Sequence, residues 1–418
     1  MTNLTQSQNS LSKKLPCLQR KQSMAANDIV RAVKVIIPLL SEDDTSVMLV
    51  HLPRLKERLT HLSACFSNNV QHSIAVKTNP HPAVLAQLVE LGYGLEAASL
   101  EEVRLAQEAG CPGSKIVFDS PVKTRAEINL VSQEPQMLVN VNSIEELARF
   151  PQKVQCTLGI RVNPQVHTGA PEMFDVSKNE SKFGVAVIER TKIIEAALSY
   201  PVSALHMHSG SQMKDLEVQR GALESLRDLA HEINARVPGK ISVLDIGGGL
   251  PSESMQDETK MKAYGSVVTE VFKECSFTLV TEFGQWVHAE AGFALSRIEY
   301  KLEPNRLFIH LGADFFMRDA YTKPRSFPLS VWNNSGEEYR GEKEAFDLAG
   351  PLCFAGDYLA HGALIDVCVQ EGDYLVIDHT GANTYGLWSR HCSRSVPSLW
   401  AWDGEKMKKW SHRQTINY

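Results

Sequence analysis

The stretch Ser73-Ile-Ala-Val-Lys-Thr-Asn-Pro80 reads as a short β-type run that ends on a lysine and is broken by Pro80 and Pro82. Proline lacks a backbone donor and fixes its own φ, so the strand must stop there and leave Lys77 at its carboxyl end. In barrels and open parallel sheets that end carries the chemistry. A strand-terminal lysine alone is ordinarily a solvated end, so its meaning depends on what the rest of the chain brings beside it.

Strand-like and helix-like runs alternate on both sides of this stretch. Segments 72–77, 93–97, 115–118, 137–141, 156–162, 203–208, 242–246 and 277–282 have β character, separated by helical stretches such as 82–91, 100–109 and 215–236. Eight strand–helix units predict an α/β fold, a closed (β/α)8 TIM barrel over residues 52–292. Beyond Gly292 the texture changes to short runs at 296–302, 306–310, 363–368, 373–378 and 397–402 with Gly, Pro and Asn between them. Residues 293–418 therefore read as a C-terminal, mainly β domain. The run Ser46–His51 precedes the first barrel unit and is spare in the count, so the segment 29–51, with a helix-compatible stretch from Asp28 to Leu40, is expected to pair with that domain. Residues 1–28 are rich in Ser, Gln and Asn and read as a disordered tail.

With 418 residues and 43% hydrophobic content, the chain can bury a large core. A net charge of −6 without long like-sign blocks points away from nucleic acid and anionic membranes and toward small molecules. Eight cysteines with no Cys-x-x-Cys pair suggest reduced thiols in the cytoplasm, and no apolar run is long enough to span a bilayer.

On the barrel reading, Gly247-Gly-Gly249 follows strand 7 and Glu282-Phe-Gly-Gln285 follows strand 8, on the same rim as Lys77. Glycines let backbone N–H groups close on an anion, and the loops after strands 7 and 8 are the usual phosphate site of such barrels. His206 and His208 end strand 6 at i, i+2 spacing; with no third ligand nearby in sequence, no metal is expected. One imidazole would stack on an aromatic cofactor or be a hydrogen-bonded core histidine. Glu282 would hold a pyridine nitrogen protonated, or form an ion pair. Cys353 sits in the Gly/Pro-framed loop Gly350–Asp357, exposed and reactive or buried and inert.

In order and spacing these motifs resemble the fold-type III pyridoxal phosphate decarboxylases, the diaminopimelate, ornithine, arginine and carboxynorspermidine decarboxylases. The resemblance runs from about residue 46 to about 400 through Ala75-Val-Lys-Thr-Asn79, Leu95-Glu-Ala-Ala-Ser-Leu-Glu-Glu102, Arg161-Val-Asn-Pro164, Lys182-Phe-Gly184, His206-Met-His-Ser-Gly-Ser-Gln212, the triple glycine, Glu282-Phe-Gly-Gln285 and Gly350-Pro-Leu-Cys353. It implies an alanine-racemase-like barrel binding pyridoxal 5'-phosphate, with active sites shared across a homodimer and an amino acid as substrate. It implies Lys77 as the Schiff-base lysine, His208 on the cofactor ring, Glu282 at the ring nitrogen, Arg161 nearby, and Ser211, Gly248, Gly249 and Gly284 at the phosphate. Cys353 of the partner subunit would return a proton to the substrate carbon.

The chain also departs from that pattern. Phe283 and Gln285 stand where the family has proline and arginine, Phe354 where an acidic residue often receives a distal amine, and Asn383 where a tyrosine meets the cofactor. Tyr385, two residues on, would face the same way on a strand. Arg318 and Tyr321 resemble a substrate-carboxylate segment with its spacing one residue short, and Asp357 completes the expected substrate set. The implied activity is amino-acid decarboxylation, with an atypical substrate. A racemase on the same fold, or a catalytically retired homologue with a regulatory role, are the alternatives.

Overall fold

The computed structural model describes residues 24–67, 69–167, 176–210, 215–250, 258–316 and 326–414. Strand β1 (Ser46–His51) is followed by a barrel of eight parallel strands: β2 (Val70–Ala75), β3 (Gly94–Ala97), β4 (Ile116–Phe118), β5 (Leu138–Val141), β6 (Thr157–Asn163), then β8 (Val202–His206), β9 (Val243–Asp245) and β10 (Thr278–Thr281). β10 pairs with β2 and β5 with β6, which closes the ring. The two-residue β7 (Val185–Ala186) pairs only with the end of β6, outside the ring. The alternation read from the sequence is thus a closed (β/α)8 barrel, with one shift: strand 1 ends at Ala75, and Lys77 lies on the single 3-10 turn Val76–Thr78.

Period-two alternation explains how the barrel is filled. Val117, Leu138, Ala204 and Val280, with Val243 against them, form a small cluster separate from the main core. These residues come from β4, β5, β8, β10 and β9 and plug the barrel interior. Their sequence neighbours Ile116, Phe118, Val139, Leu205, Leu244 and Leu279 belong to the main core, packed under the surrounding helices. Local signals start those helices: Thr124 and Glu127 form a capping box, and Ser99 accepts from Glu102 N while Glu102 reaches back to Ala98 N.

The second sheet holds β1, β11 (Gly292–Leu302), β12 (Arg306–Ile309), β13 (Leu329–Trp332), β14 (Lys343–Ala349), β15 (Tyr358–Asp366), β16 (Tyr374–Ile377), β17 (Ser398–Trp402) and β18 (Met407–Ser411). Three of these, β13, β14 and β18, have no counterpart in the runs read from the sequence. β14 and β18 carry Lys, Glu and Asp among their apolar residues and so show little alternation. β1 lies between β11, antiparallel, and β17, parallel. Its Val47 and Leu49 meet Ala32, Val33 and Ile36 of the helix Met24–Ile36, while Met48 and Val50 face the main core. That helix begins within the segment expected to be a tail; residues 1–23 lie outside the described residues. Among the described residues no helix is long and apolar enough to cross a membrane.

Barrel and sheet are joined at the start of β11. Arg58, in the helix Leu52–Ala64, is almost fully buried; its guanidinium lies 3.4 Å from the Trp286 ring centroid and donates to Trp286 O at 3.0 Å. Arg54 of the same helix pairs with Glu290. These contacts fix the segment Gln285–Ala291, which carries the chain from the last barrel strand into the second sheet.

Candidate active site

Two residues beyond each plug residue, on the same inward face, the chain places a polar side chain: Asp119 after Val117, Asn140 after Leu138, His206 after Ala204, Asp245 after Val243 and Glu282 after Val280. All five are buried. With Glu96 on β3 and Arg161 on β6 they make a polar layer above the apolar plug, at the carboxyl ends of the strands. Asn140 Nδ2 donates to Asp245 Oδ2 at 3.1 Å within this layer.

Lys77 reaches into it from above. Its Nζ lies 2.8 Å and 2.6 Å from the two Glu96 oxygens, with the lysine side chain 52% exposed through the cavity and Glu96 fully buried. Burial opposes the charge on Lys77, but the carboxylates of Glu96, Asp119 and Glu282 together hold its amine above the ordinary lysine range. Glu96 is displaced upward by burial, which the adjacent Lys77 only partly offsets. Burial would also raise Asp119, but Lys77, a hydrogen bond with Glu96, His206 and Arg161, 4.0 Å away, hold it below the usual carboxylate range. Glu282 is raised well above its ordinary value by burial and by Asp245, and Asp245 is itself pushed up to about 7 by burial.

The imidazoles stay neutral. His208 is pushed down to about 3 by burial and by the cations Arg161 and Lys77, and His206 is lowered by burial and Arg161. The Gly248 amide donates to His208 Nδ1 at 3.1 Å, so the proton of the neutral ring sits on Nε2. Glycine is needed at 248 because a Cβ there would lie 2.6 Å from Glu282 O. The amides of Gly247 and Gly248 are thus taken by Asp245 Oδ1 and His208. Gly249 does line the cavity.

That cavity brings together Lys77, His208, Gly249, Glu282, Gly284, Gln285 and Asn383, with Ala75, Thr78 and Trp286 completing much of its wall. Glu282 Oε1, buried, has no hydrogen-bond partner among the described residues, and His206 Nε2 stands 3.7 Å from it. Asp119, His206 and Glu282 offer donor atoms all within 4.8 Å of one another, a set able to hold a metal ion. Its members come from the ends of three different strands, so no spacing along the chain announces the set.

Other expected residues are placed differently. Asn383 has a left-handed backbone (φ 57°), and Tyr385 starts a 3-10 turn, so the strand alternation that would aim both side chains together does not exist. Tyr385 instead packs edge-on against His81, with ring centroids 5.4 Å apart. Asp357 is buried, and its oxygens accept from Ala313 N at 2.5 Å and Leu352 N at 2.6 Å. A Cβ at Gly312 would fall 2.2 Å from Asp357 Oδ1. Asp357 therefore folds the loop Gly350–Asp357. Cys353 is exposed and Phe354 half-buried on that loop, and among the described residues neither lines the cavity holding Lys77 of the same chain. Phe283 packs against Phe66 and Tyr264 and also contributes to the cavity wall. Ser211, Arg318 and Tyr321 lie outside the described residues.

Comparison with known proteins places the chain in a family and a fold. The family profile of the pyridoxal-dependent decarboxylases, pyridoxal binding domain, matches residues 52–292. A diaminopimelate decarboxylase of Pseudomonas aeruginosa is 30% identical over 356 residues, covering 82% of this chain and 83% of its own. Its counterpart in Haemophilus influenzae is 27% identical over 395 residues, covering 90% and 93%. The crystal structure of diaminopimelate decarboxylase from Helicobacter pylori complexed with L-lysine has the same fold, with a TM-score of 0.81 at 22% identity, covering 89% of this chain and 94% of that one.

Proposed function

This chain belongs to the pyridoxal-dependent decarboxylases, and we propose that its cavity carries pyridoxal 5'-phosphate on Lys77 and removes the carboxylate of an amino acid. The observation that carries the residue assignment is one cavity holding both the Lys77 amine and a buried Glu282 oxygen without a hydrogen-bond partner among the described residues. An unsatisfied buried carboxylate oxygen is costly, and a pyridine N–H would satisfy it. The residues present fit the cofactor: an amine, a neutral flat imidazole, a carboxylate and a glycine-lined wall.

Bound there, pyridoxal phosphate supplies an electron sink for the bond pair left at the substrate Cα when CO2 departs. The protein does the rest. Lys77 anchors the cofactor and yields to the substrate amine. Glu282, raised by burial and Asp245, would be held as the carboxylate by a ring N–H and would in turn keep that nitrogen protonated. His208, neutral and oriented by Gly248, offers its ring as a stacking face. Gly249, Gly284 and Gln285, which line the cavity, would hold the phosphate, with Gln285 giving a neutral donor where arginine is usual. Cys353 on the loop organised by Asp357 enters the active site of a partner subunit and returns a proton to Cα.

The substrate class follows from Phe354 and Arg318. An apolar Phe354 offers no counter-charge to a distal ammonium, and Arg318 favours a carboxylate. We therefore assign an amino acid with a second carboxylate or a neutral end; diaminopimelate, for which the relatives are named, shares the second carboxylate but also bears a distal ammonium that Phe354 would leave without a counter-charge. Purified protein is expected to be yellow with pyridoxal phosphate and to release CO2 from such substrates, and Lys77→Ala to be colourless and at least ~10³-fold slower. A colourless wild type that takes up no cofactor would sink the reading. Ornithine and lysine as best substrates would overturn the role given to Phe354.

A further inference from the structure

Resting on the pyridoxal phosphate reading and going beyond it, we infer that Glu96 is the receiving carboxylate for the Lys77 amine whenever the lysine is off the cofactor, and the acceptor of its proton when it rejoins. Both Glu96 oxygens lie within hydrogen-bond distance of Nζ, at 2.8 Å and 2.6 Å. Glu96 is fully buried on β3, whose residues Ser73↔Gly94, Ile74↔Leu95 and Ala75↔Glu96 pair with β2, so the carboxylate is fixed beside the turn that carries the lysine. Lys77 is thus drawn toward the strand next to its own.

Such a group has a job in every turnover. A substrate amine that displaces the lysine leaves a free amine in the site, able to compete for the same aldehyde carbon. Salt-bridged to Glu96 it is protonated, its lone pair is unavailable, and it stays clear of the substrate. For Lys77 to return, one proton passes from Nζ to a Glu96 oxygen over 2.6 Å. The neutral amine would then be free to add to the carbon, passing a proton to the amine it displaces, which leaves neutral. Burial makes Glu96 more basic than an ordinary carboxylate, so it is suited to hold that proton. The other charged groups facing the pair are Asp119 and Glu282, which favour the ammonium, with Arg161 beside Asp119. Glu102 and His208 also feel the lysine charge. Glu96 acts through Lys77 and is a positioning residue.

The test uses cofactor-free and cofactor-loaded full-length protein. Reductive methylation of cofactor-free protein with formaldehyde and cyanoborohydride, read by peptide mass, follows the neutral fraction of Lys77. At a fixed mildly alkaline pH, Lys77 in Glu96→Gln should label ~10-fold faster than in wild type, the change that one pKa unit produces. Spectroscopic titration of the loaded protein with methylamine should need ~10-fold more amine in Glu96→Gln, since the displaced lysine has lost its receiver. Glu96→Asp should recover part of both effects and guards against misfolding of the first variant. Unchanged labelling, or faster labelling with an unchanged methylamine midpoint, overturns the assignment of Glu96. A wild type that takes up no cofactor sinks the functional reading instead, a result distinct from either.

Discussion

At the residue scale, the polar layer of the barrel shows how position on a strand sets the chemistry of a side chain. Glu96, Asp119, Asp245 and Glu282 are four acids within one buried layer, and they are tolerated because Lys77 and Arg161 stand among them and Asn140 and Gly247 donate to Asp245. Glu96, Asp119 and Asp245 were not among the residues expected to matter. Their signal was present as a charge inside or directly after a strand, for Asp119 and Asp245 two residues beyond a plug residue. Histidine burial has a measurable consequence away from this layer. His72 hydrogen-bonds Thr281 Oγ1 at 2.7 Å near the amino end of the barrel, and burial pushes it down to about 4 from the ordinary 6.5. Between those two values the unfolded chain binds a proton that the native chain does not, so His72 costs stability as pH falls. Relative to His72→Gln, wild type should lose ~1.4 kcal/mol per pH unit through that window, read from urea denaturation at a series of pH values.

At the scale of elements, the loop Gly350–Asp357 is the clearest case of a motif whose residues divide the work. Asp357 ties together the amides of Ala313 and Leu352, and Gly350 N donates to Asp357 O at 2.7 Å. That leaves Cys353 exposed at the turn. Asp357→Ala should orphan two buried amides at ~1–3 kcal/mol each, partly relieved by water. It is expected to lower kcat with little change in cofactor absorbance, and to make the loop sensitive to limited proteolysis; unaltered kcat and proteolysis would show that the loop does not depend on this carboxylate. The barrel strands and capped helices were legible because period-two and capping signals are local. The strands Lys343–Ala349 and Met407–Ser411 were not, because they are held by pairing with distant partners rather than by their own alternation.

At the scale of the whole molecule, the cavity around Lys77 and the loop bearing Cys353 are separate places in one chain. If two subunits share their sites as proposed, Lys77→Ala and Cys353→Ala proteins are each inactive alone, yet the mixed dimer has one site with both residues intact. Exchange at equal concentrations should restore about one quarter of wild-type activity, since half the dimers are mixed and each has one good site of two. No recovery, with subunit exchange verified, would place Cys353 in its own subunit's chemistry or outside it. The sequence by itself determined the strand–helix alternation, the lysine after the first barrel strand, the glycine loop and the glutamate after the last, because these depend on neighbours a few residues apart. Only the tertiary structure decided that Glu96 pairs with Lys77, that the Gly248 amide serves His208, that Asp357 builds a loop and that Tyr385 packs on His81. Ring closure of the barrel brings side chains from different strands within hydrogen-bond distance, and no spacing along the chain encodes which donor meets which acceptor there.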